Sequence, residues 1–355
     1  MVYPFNRGSN RMKLTDNPKQ GGVLLLIVMT LVVPFTSNVS GFQSPSINII
    51  SHGIITYKYS VGLSWYGLDH DSFDSFWKLN KENYDLMYSR YPNMDVLVLP
   101  FSSFSYSHAD RLSRLDDLIS WCKADGIKVL ISNYAETYSK SGFITYWENM
   151  ATRYKGNTGV LGFDLVNEPW GMKNSGWVKG WSGLIDDYED MIDAVRAIDP
   201  ERKCYVQSYL KHQEGYDWIY TNPVDRPNIA YITHIYSLDW VIGQWQTWNP
   251  WWDEYSSGDY ASGYTVLHDA LWTRFGKVIT EEKVEFFVTE TATIDDPHAK
   301  QYYMDLIEII ESWGCSWAYH SYYSGATRVC ALTFPSTANE RGHADLVRTC
   351  MNKGG

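Results

Sequence analysis

Two carboxylates stand where apolar runs break off. In LVNEPWG, residues 165–171, a run of aliphatic side chains ends in Asn167, Glu168 and Pro169, with Trp170 next. In VEFFVTE, residues 284–290, a second apolar run ends in Glu290. The two are far apart in the chain, so only a fold that gathers strand ends can bring them to one opening. A carboxyl pair about 5–5.5 Å apart can open an acetal. One attacks the anomeric carbon; the other protonates the leaving oxygen and later takes a proton from water. Crowding two like charges raises the pKa of one member, so an acid and a base coexist near neutral pH. A single Glu at a strand end is an ordinary surface carboxylate. Two of them, with His234 and Tyr236 ending the strand between, form a more specific pattern.

The elements that must position these residues follow from hydrophobic periodicity. Strands are expected at 60–65, 95–101, 127–133, 160–167, 203–208, 228–236, 284–290 and 315–322. Helical spacing of apolar residues is clear over 110–125, where Leu112, Leu115, Leu118, Ile119 and Cys122 share a face and Gly126 stops the helix. It is clearer still from Trp181 to Ile198. A helix opened by Asp295, Asp296 and Pro297 runs to about Trp313, and others fit 72–91 and 338–351. Near-continuous apolar strands separated by amphipathic helices imply a parallel sheet covered by helices. Eight such repeats, in 355 residues, favour a closed (β/α)8 barrel in a single domain over an open doubly wound sheet. No Gly-rich phosphate turn follows the first strand, and residues 42–58 are expected to form a hairpin or cap under the barrel.

Barrel enzymes of this class work at the C-terminal ends of their strands. Those ends are expected to deliver Trp65 from strand one, Asn133 from strand three, Asn167 and Glu168 from strand four, His234 and Tyr236 from strand six, Glu290 from strand seven and His320 from strand eight.

The stretch RYKGNTGVLGFDLVNEP (153–169), followed by FFVTET (286–291), resembles clan A of the glycoside hydrolases, and most of all family 5, the cellulase family. The resemblance spans roughly residues 55–350. It implies a retaining β-glycosidase, with Glu168 as acid/base and Glu290 as nucleophile. It further implies that Asn167 bonds a sugar 2-hydroxyl, that Tyr236 holds the nucleophile and that His234 lines the site. The sequence departs from the family pattern in three places. Val98 stands where an Arg is usual, Asn133 where a His is usual, and His320 where a Trp platform is usual. The resemblance therefore implies a divergent member, acting on a β-linked glucan or mannan and expected to be endo-acting. A transglycosylase, a glycoconjugate-specific enzyme and a carbohydrate-binding protein without turnover remain as alternatives.

Composition narrows the partners. Net charge is −11, which argues against nucleic acid, because phosphate binding needs a basic surface. No metal-binding or cofactor-binding motif is present, so neither is expected. Aromatic content is high, with 16 Trp and 27 Tyr. Most must fill the core. Trp170, Trp177 and the cluster Trp240, Trp245, Trp248, Trp251, Trp252 and Tyr255 in an expected loop over 237–262 could instead stack on pyranose faces or pack as a lid. Arg7, Arg11, Lys13 and Lys19 precede an apolar run, 21–35, too short for a comfortable membrane span, with small and polar residues after it. This is the layout of a signal peptide over 1–41, cleaved near 38–43, with an uncleaved anchor as the alternative. A secreted monomer made of residues 42–355 is expected, touching a membrane only if the anchor persists. Cys330 and Cys350 could close a loop on export, while Cys122, Cys204 and Cys315 fit buried packing thiols.

Overall fold

The computed structural model describes residues 54–56, 80–101, 106–133, 139–169, 181–208, 216–236, 252–322, 332 and 339–352. Its strands are β1 (Ile54–Thr56), β2 (Val96–Pro100), β3 (Lys128–Ser132), β4 (Val160–Asp164), β5 (Cys204–Gln207), β6 (Ile229–Tyr236), β7 (Phe286–Ala292) and β8 (Ser316–His320). Neighbours in sequence pair in parallel from β1 to β8, and β1 pairs with β8, so the sheet closes into a barrel. The helices are α1 (Lys81–Arg90), α2 (Ala109–Ala124), α3 (Lys140–Arg153), α4 (Trp181–Ile198), α5 (Trp252–Ser257), α6 (Tyr260–Leu271), α7 (Lys277–Glu282), α8 (Pro297–Ser312) and α9 (Ala344–Asn352). The (β/α)8 architecture is the one expected from the repeat of strands and helices. No helix among the described residues is long and apolar enough to cross a membrane.

Local chemistry explains the clearest helices. Asp296 caps α8, its side chain accepting from the N–H groups of His298 and Ala299, and Pro297 occupies the first turn, where its missing N–H costs nothing. On α4, Leu184, Ile185, Tyr188, Met191, Ile192 and Val195 are buried as one stripe. Each such side chain contributes about 1.5–3 kcal/mol by leaving water. Cys122, Cys204 and Cys315 are buried thiols, and burial pushes each pKa up to about 12. Cys330 lies outside the described residues, and with it the expected pairing to Cys350.

Several expectations need correction. Ile54–Thr56 belongs to the barrel wall between β2 and β8 rather than to a cap over 42–58, and residues 60–65, expected as strand one, lie outside the described residues. Strand seven does not stop at Glu290. It continues to Ala292, because Thr291 and Ala292 still pair with Ile235 and Tyr236. The expected loop over 237–262 is helical from Trp252 to Ser257 and again from Tyr260. Within it Tyr255 is no sugar platform: it is fully buried, and its hydroxyl donates to Asp305 Oδ2 at 2.5 Å. The final helix begins at Ala344, later than 338.

The barrel interior is apolar in its lower part. Val96, Val98, Leu130, Tyr205, Ala230, Ile232, Phe287 and Ala318 form one buried cluster inside it. Gly162 makes room for this filling. A Cβ there would stand 2.6 Å from the Tyr205 ring and 2.5 Å from the Lys203 carbonyl oxygen.

Candidate active site

Strand alternation turns the apolar interior into a polar mouth. Two residues beyond Leu130, Gly162, Tyr205, Ile232 and Ala318, on the same face of each strand, come Ser132, Asp164, Gln207, His234 and His320. On β7 the count differs. Phe287 faces the interior, so strict alternation would send Glu290 outward, towards the helices. The register between β6 and β7 shifts by one residue instead: Thr233 pairs with Val288, but His234 pairs with Glu290. The extra residue, Thr289, turns Glu290 inward beside His234.

The exit of β4 is tethered group by group. Leu165 N–H donates to the Tyr205 carbonyl at 3.1 Å, and the Trp147 indole donates to the Leu165 carbonyl at 3.1 Å. Asn133 N–H donates to the Asp164 carbonyl, and Asn167 N–H to the Asn133 carbonyl, each at 3.1 Å. Glu168 N–H donates to Gln207 Oε1 at 2.8 Å. Beside this turn, the buried Asp164 carboxyl accepts from the Ser132 hydroxyl, and desolvation raises its pKa from 3.8 to about 7.

Glu168 and Glu290 face each other across His234. His234 Nδ1 lies 3.0 Å from Glu168 Oε1 and 3.5 Å from Glu290 Oε2. The three ligand atoms of this group all lie within 4.8 Å of one another. That separation suits a nucleophile and an acid/base acting on one bond. The Nδ1–H tautomer of His234 lets a single proton lie between both carboxylates. Glu290 Oε2 also accepts from the Tyr236 hydroxyl and lies 3.4 Å from His320 Nδ1. The His320 ring stands edge-on to Tyr236, with centroids 6.1 Å apart. Glu290 is buried, whereas the Glu168 side chain is a quarter exposed. One carboxylate is thus enclosed by Tyr236, His234 and His320, and the other is partly exposed. The same trio also has the reach of an open cation site.

The structure links Glu168, Glu290, His234, Tyr236 and His320 in one chain of contacts, with His234 between the two carboxylates and Tyr236 and His320 against Glu290. Asn167 sits beside them, half-buried, on the tethered turn. Asn133 is fully buried; its main chain bridges β4 to Asn167, and its side-chain amide makes no hydrogen bond among the described residues. His320 presents no open platform, because it is fully buried against Glu290 and Tyr236. Val98, where the family pattern has an Arg, fills the apolar interior. Trp65 and Trp170 lie outside the described residues, as do Trp177, Trp240, Trp245, Trp248 and Trp251. Sequence reasoning missed Gln207, Asp164 and Ser132. The signal was available in part: each stands two residues beyond an interior position and closes its strand.

Comparison with known proteins agrees with this architecture. Residues 65–325 match the family described as cellulase, glycosyl hydrolase family 5. An endoglucanase of Paenibacillus polymyxa is 24% identical over 259 residues, covering 61% of this chain and 63% of the endoglucanase. The match therefore spans a little under two thirds of that relative. Among solved structures, a beta-glucanase of Saccharophagus degradans is 14% identical, with a TM-score of 0.65, 85% of this chain and 88% of the other being covered. An endoglucanase of Pseudomonas stutzeri, crystallised with cellobiose, is 16% identical with a TM-score of 0.63, covering 85% of this chain and 92% of the other.

Proposed function

Because the chain belongs to glycosyl hydrolase family 5, the cellulase family, we propose that it is a retaining β-glycosidase that cleaves β-linked glucan or mannan chains internally. The observation that carries this reading is the carboxylate pair of Glu168 and Glu290, held within 4.8 Å around one imidazole. The endoglucanase relative supports a glucan substrate.

In this reading Glu290 attacks the anomeric carbon and forms a glycosyl ester. Three groups, Tyr236, His234 and His320, gather at its Oε2. They orient the carboxylate for attack. Glu168, the more exposed partner, gives its proton to the leaving oxygen. It then removes a proton from the water that breaks the ester, which restores both groups. Asn167 bonds the sugar 2-hydroxyl, a contact that tightens as the oxocarbenium-like transition state forms. Trp65 and Trp170 are the proposed stacking surfaces.

Val98 and His320 favour a specificity different from that of a plain cellulase. A buried valine replaces a guanidinium, and a buried imidazole replaces an indole platform. Transglycosylation or action on a glycoconjugate is the second reading on these grounds.

The test is a panel of β-1,4-glucan, mixed-linkage β-glucan and mannan with reducing-sugar detection, comparing the wild type with Glu290→Gln. Release of sugar that the substitution abolishes is expected, with or without EDTA. Silence of the wild type on every polymer would sink the glucan or mannan assignment. Early turnover followed by NMR is expected to show the β anomer first; an initial α anomer would rule out retention.

We also propose export, with residues 1–41 removed as a leader, and action as a secreted monomer. N-terminal sequencing of secreted material is expected to start near residues 38–43. An intact Met1 in a membrane fraction would show an anchor instead.

A further inference from the structure

Glu168 holds a backbone angle few residues adopt: its φ is 45°, in the left-handed region. A non-glycine residue is disfavoured there and persists only where the surroundings over-determine it. Pro169 follows directly and restricts the residue before it further. The Glu168 N–H is caught by Gln207 Oε1 at 2.8 Å. Gln207 is the last residue of β5 and is only 2% exposed. Its own main chain is locked by Tyr188 on α4. The Tyr188 hydroxyl donates to the Gln207 carbonyl at 3.0 Å, and the Gln207 N–H donates to that hydroxyl at 3.3 Å.

We infer that Gln207 is a positioning residue for the acid/base: by anchoring the Glu168 N–H it sets the direction in which that carboxyl leaves the backbone. The inference rests on Glu168 being the acid/base, as proposed above. Gln207 itself touches no reacting atom. The choice of an amide has a reason. A carbonyl oxygen accepts the N–H without adding charge, whereas a carboxylate would add a third negative group beside Glu168 and Glu290. A left-handed turn released from its anchor relaxes towards ordinary φ, which swings the Cα–Cβ vector of Glu168 away from the opening. Displacements of about 1 Å at a reacting group can cost about 100-fold in rate.

The consequence is selective. Losing the anchor should harm only steps that need proton transfer from Glu168. Gln207→Met keeps the length of the side chain and removes the acceptor. Gln207→Asn keeps the amide but withdraws it by one methylene. Each is compared with the wild type and with Glu168→Ala. The substrates are cellotetraose or mannotetraose, whichever the wild type cleaves, and the 2,4-dinitrophenyl glycoside of the same sugar. For Gln207→Met, kcat/KM on the oligosaccharide should fall about 10- to 100-fold. On the activated glycoside, which needs little protonation, it should fall less than about fivefold. Gln207→Asn should show the same selectivity at smaller amplitude, and it carries the test if the Met variant does not fold by circular dichroism. Equal loss on both substrates, or wild-type rates on both, in a folded Gln207 variant overturns the inference while Glu168→Ala still shows leaving-group selectivity. If Glu168→Ala shows none, the acid/base assignment fails, and the role of Gln207 falls with it.

Discussion

The Tyr236 hydroxyl donates to Oε2 of Glu290, although the two residues do not stand opposite each other in the ladder. The residue paired with Glu290 is His234, and Tyr236 pairs with Ala292. Two positions along β6, on the same face, the phenol reaches back across the mouth to the carboxylate. A hydrogen bond to an ionised group is worth about 1.5–3 kcal/mol, so Tyr236→Phe is expected to lower kcat about 10- to 100-fold with the fold intact. Steady-state kinetics with a melting curve checks this. Unchanged kcat would show that the hydroxyl does not act on the nucleophile.

Glu168→Ala is expected to slow cleavage of oligosaccharides far more than of dinitrophenyl glycosides, because good leaving groups depart without a proton. Added azide should partly restore turnover by taking the place of the activated water. Equal loss on both substrates without rescue would remove Glu168 from the role.

Asp164 links stability to pH. Its carboxyl is buried, and its pKa rises from 3.8 to about 7. The folded state therefore favours the protonated form. Stability from this group is complete below pH 4, declines as pH rises towards 7 and is level above that. The integrated effect is on the order of 4 kcal/mol. Asp164→Asn, which cannot ionise, lacks this decline. The wild-type Tm should fall relative to Asp164→Asn as pH is raised from 4 to 7, then run parallel. A Tm difference that is constant over that range would refute the linkage.

Gly162→Ala should destabilise the barrel sharply. Its Cβ would meet both the Tyr205 ring and the Lys203 carbonyl oxygen well inside contact distance, and the backbone oxygen cannot rotate away. Overpacking of this kind costs about 1–3 kcal/mol or more. Gly162→Ala combined with Tyr205→Leu should recover part of the loss in Tm, because the ring is one of the two obstacles. A single variant as stable as the wild type would mean that the strands adjust freely there.

Much of this protein is determined by local pattern. Apolar runs of strand length and helical stripes such as Leu184 to Val195 specify their own elements, because periodicity of burial is a property of neighbours in the chain. Their repetition implied the closed barrel, and the barrel implied that Glu168, His234, Tyr236 and Glu290 share one mouth. What the chain alone did not determine depends on contacts between distant segments. Ile54–Thr56 is too short to display a period, and only pairing with both β2 and β8 makes it a barrel strand. Strand alternation would turn Glu290 away from the site; the one-residue register shift opposite Thr233 and His234 turns it in, and a register exists only between strands. The left-handed turn at Glu168 is held by Gln207 from the neighbouring strand, across 39 positions of sequence. His320 faces Glu290 rather than open solvent for the same reason: side-chain direction at a strand end is decided by what closes around it.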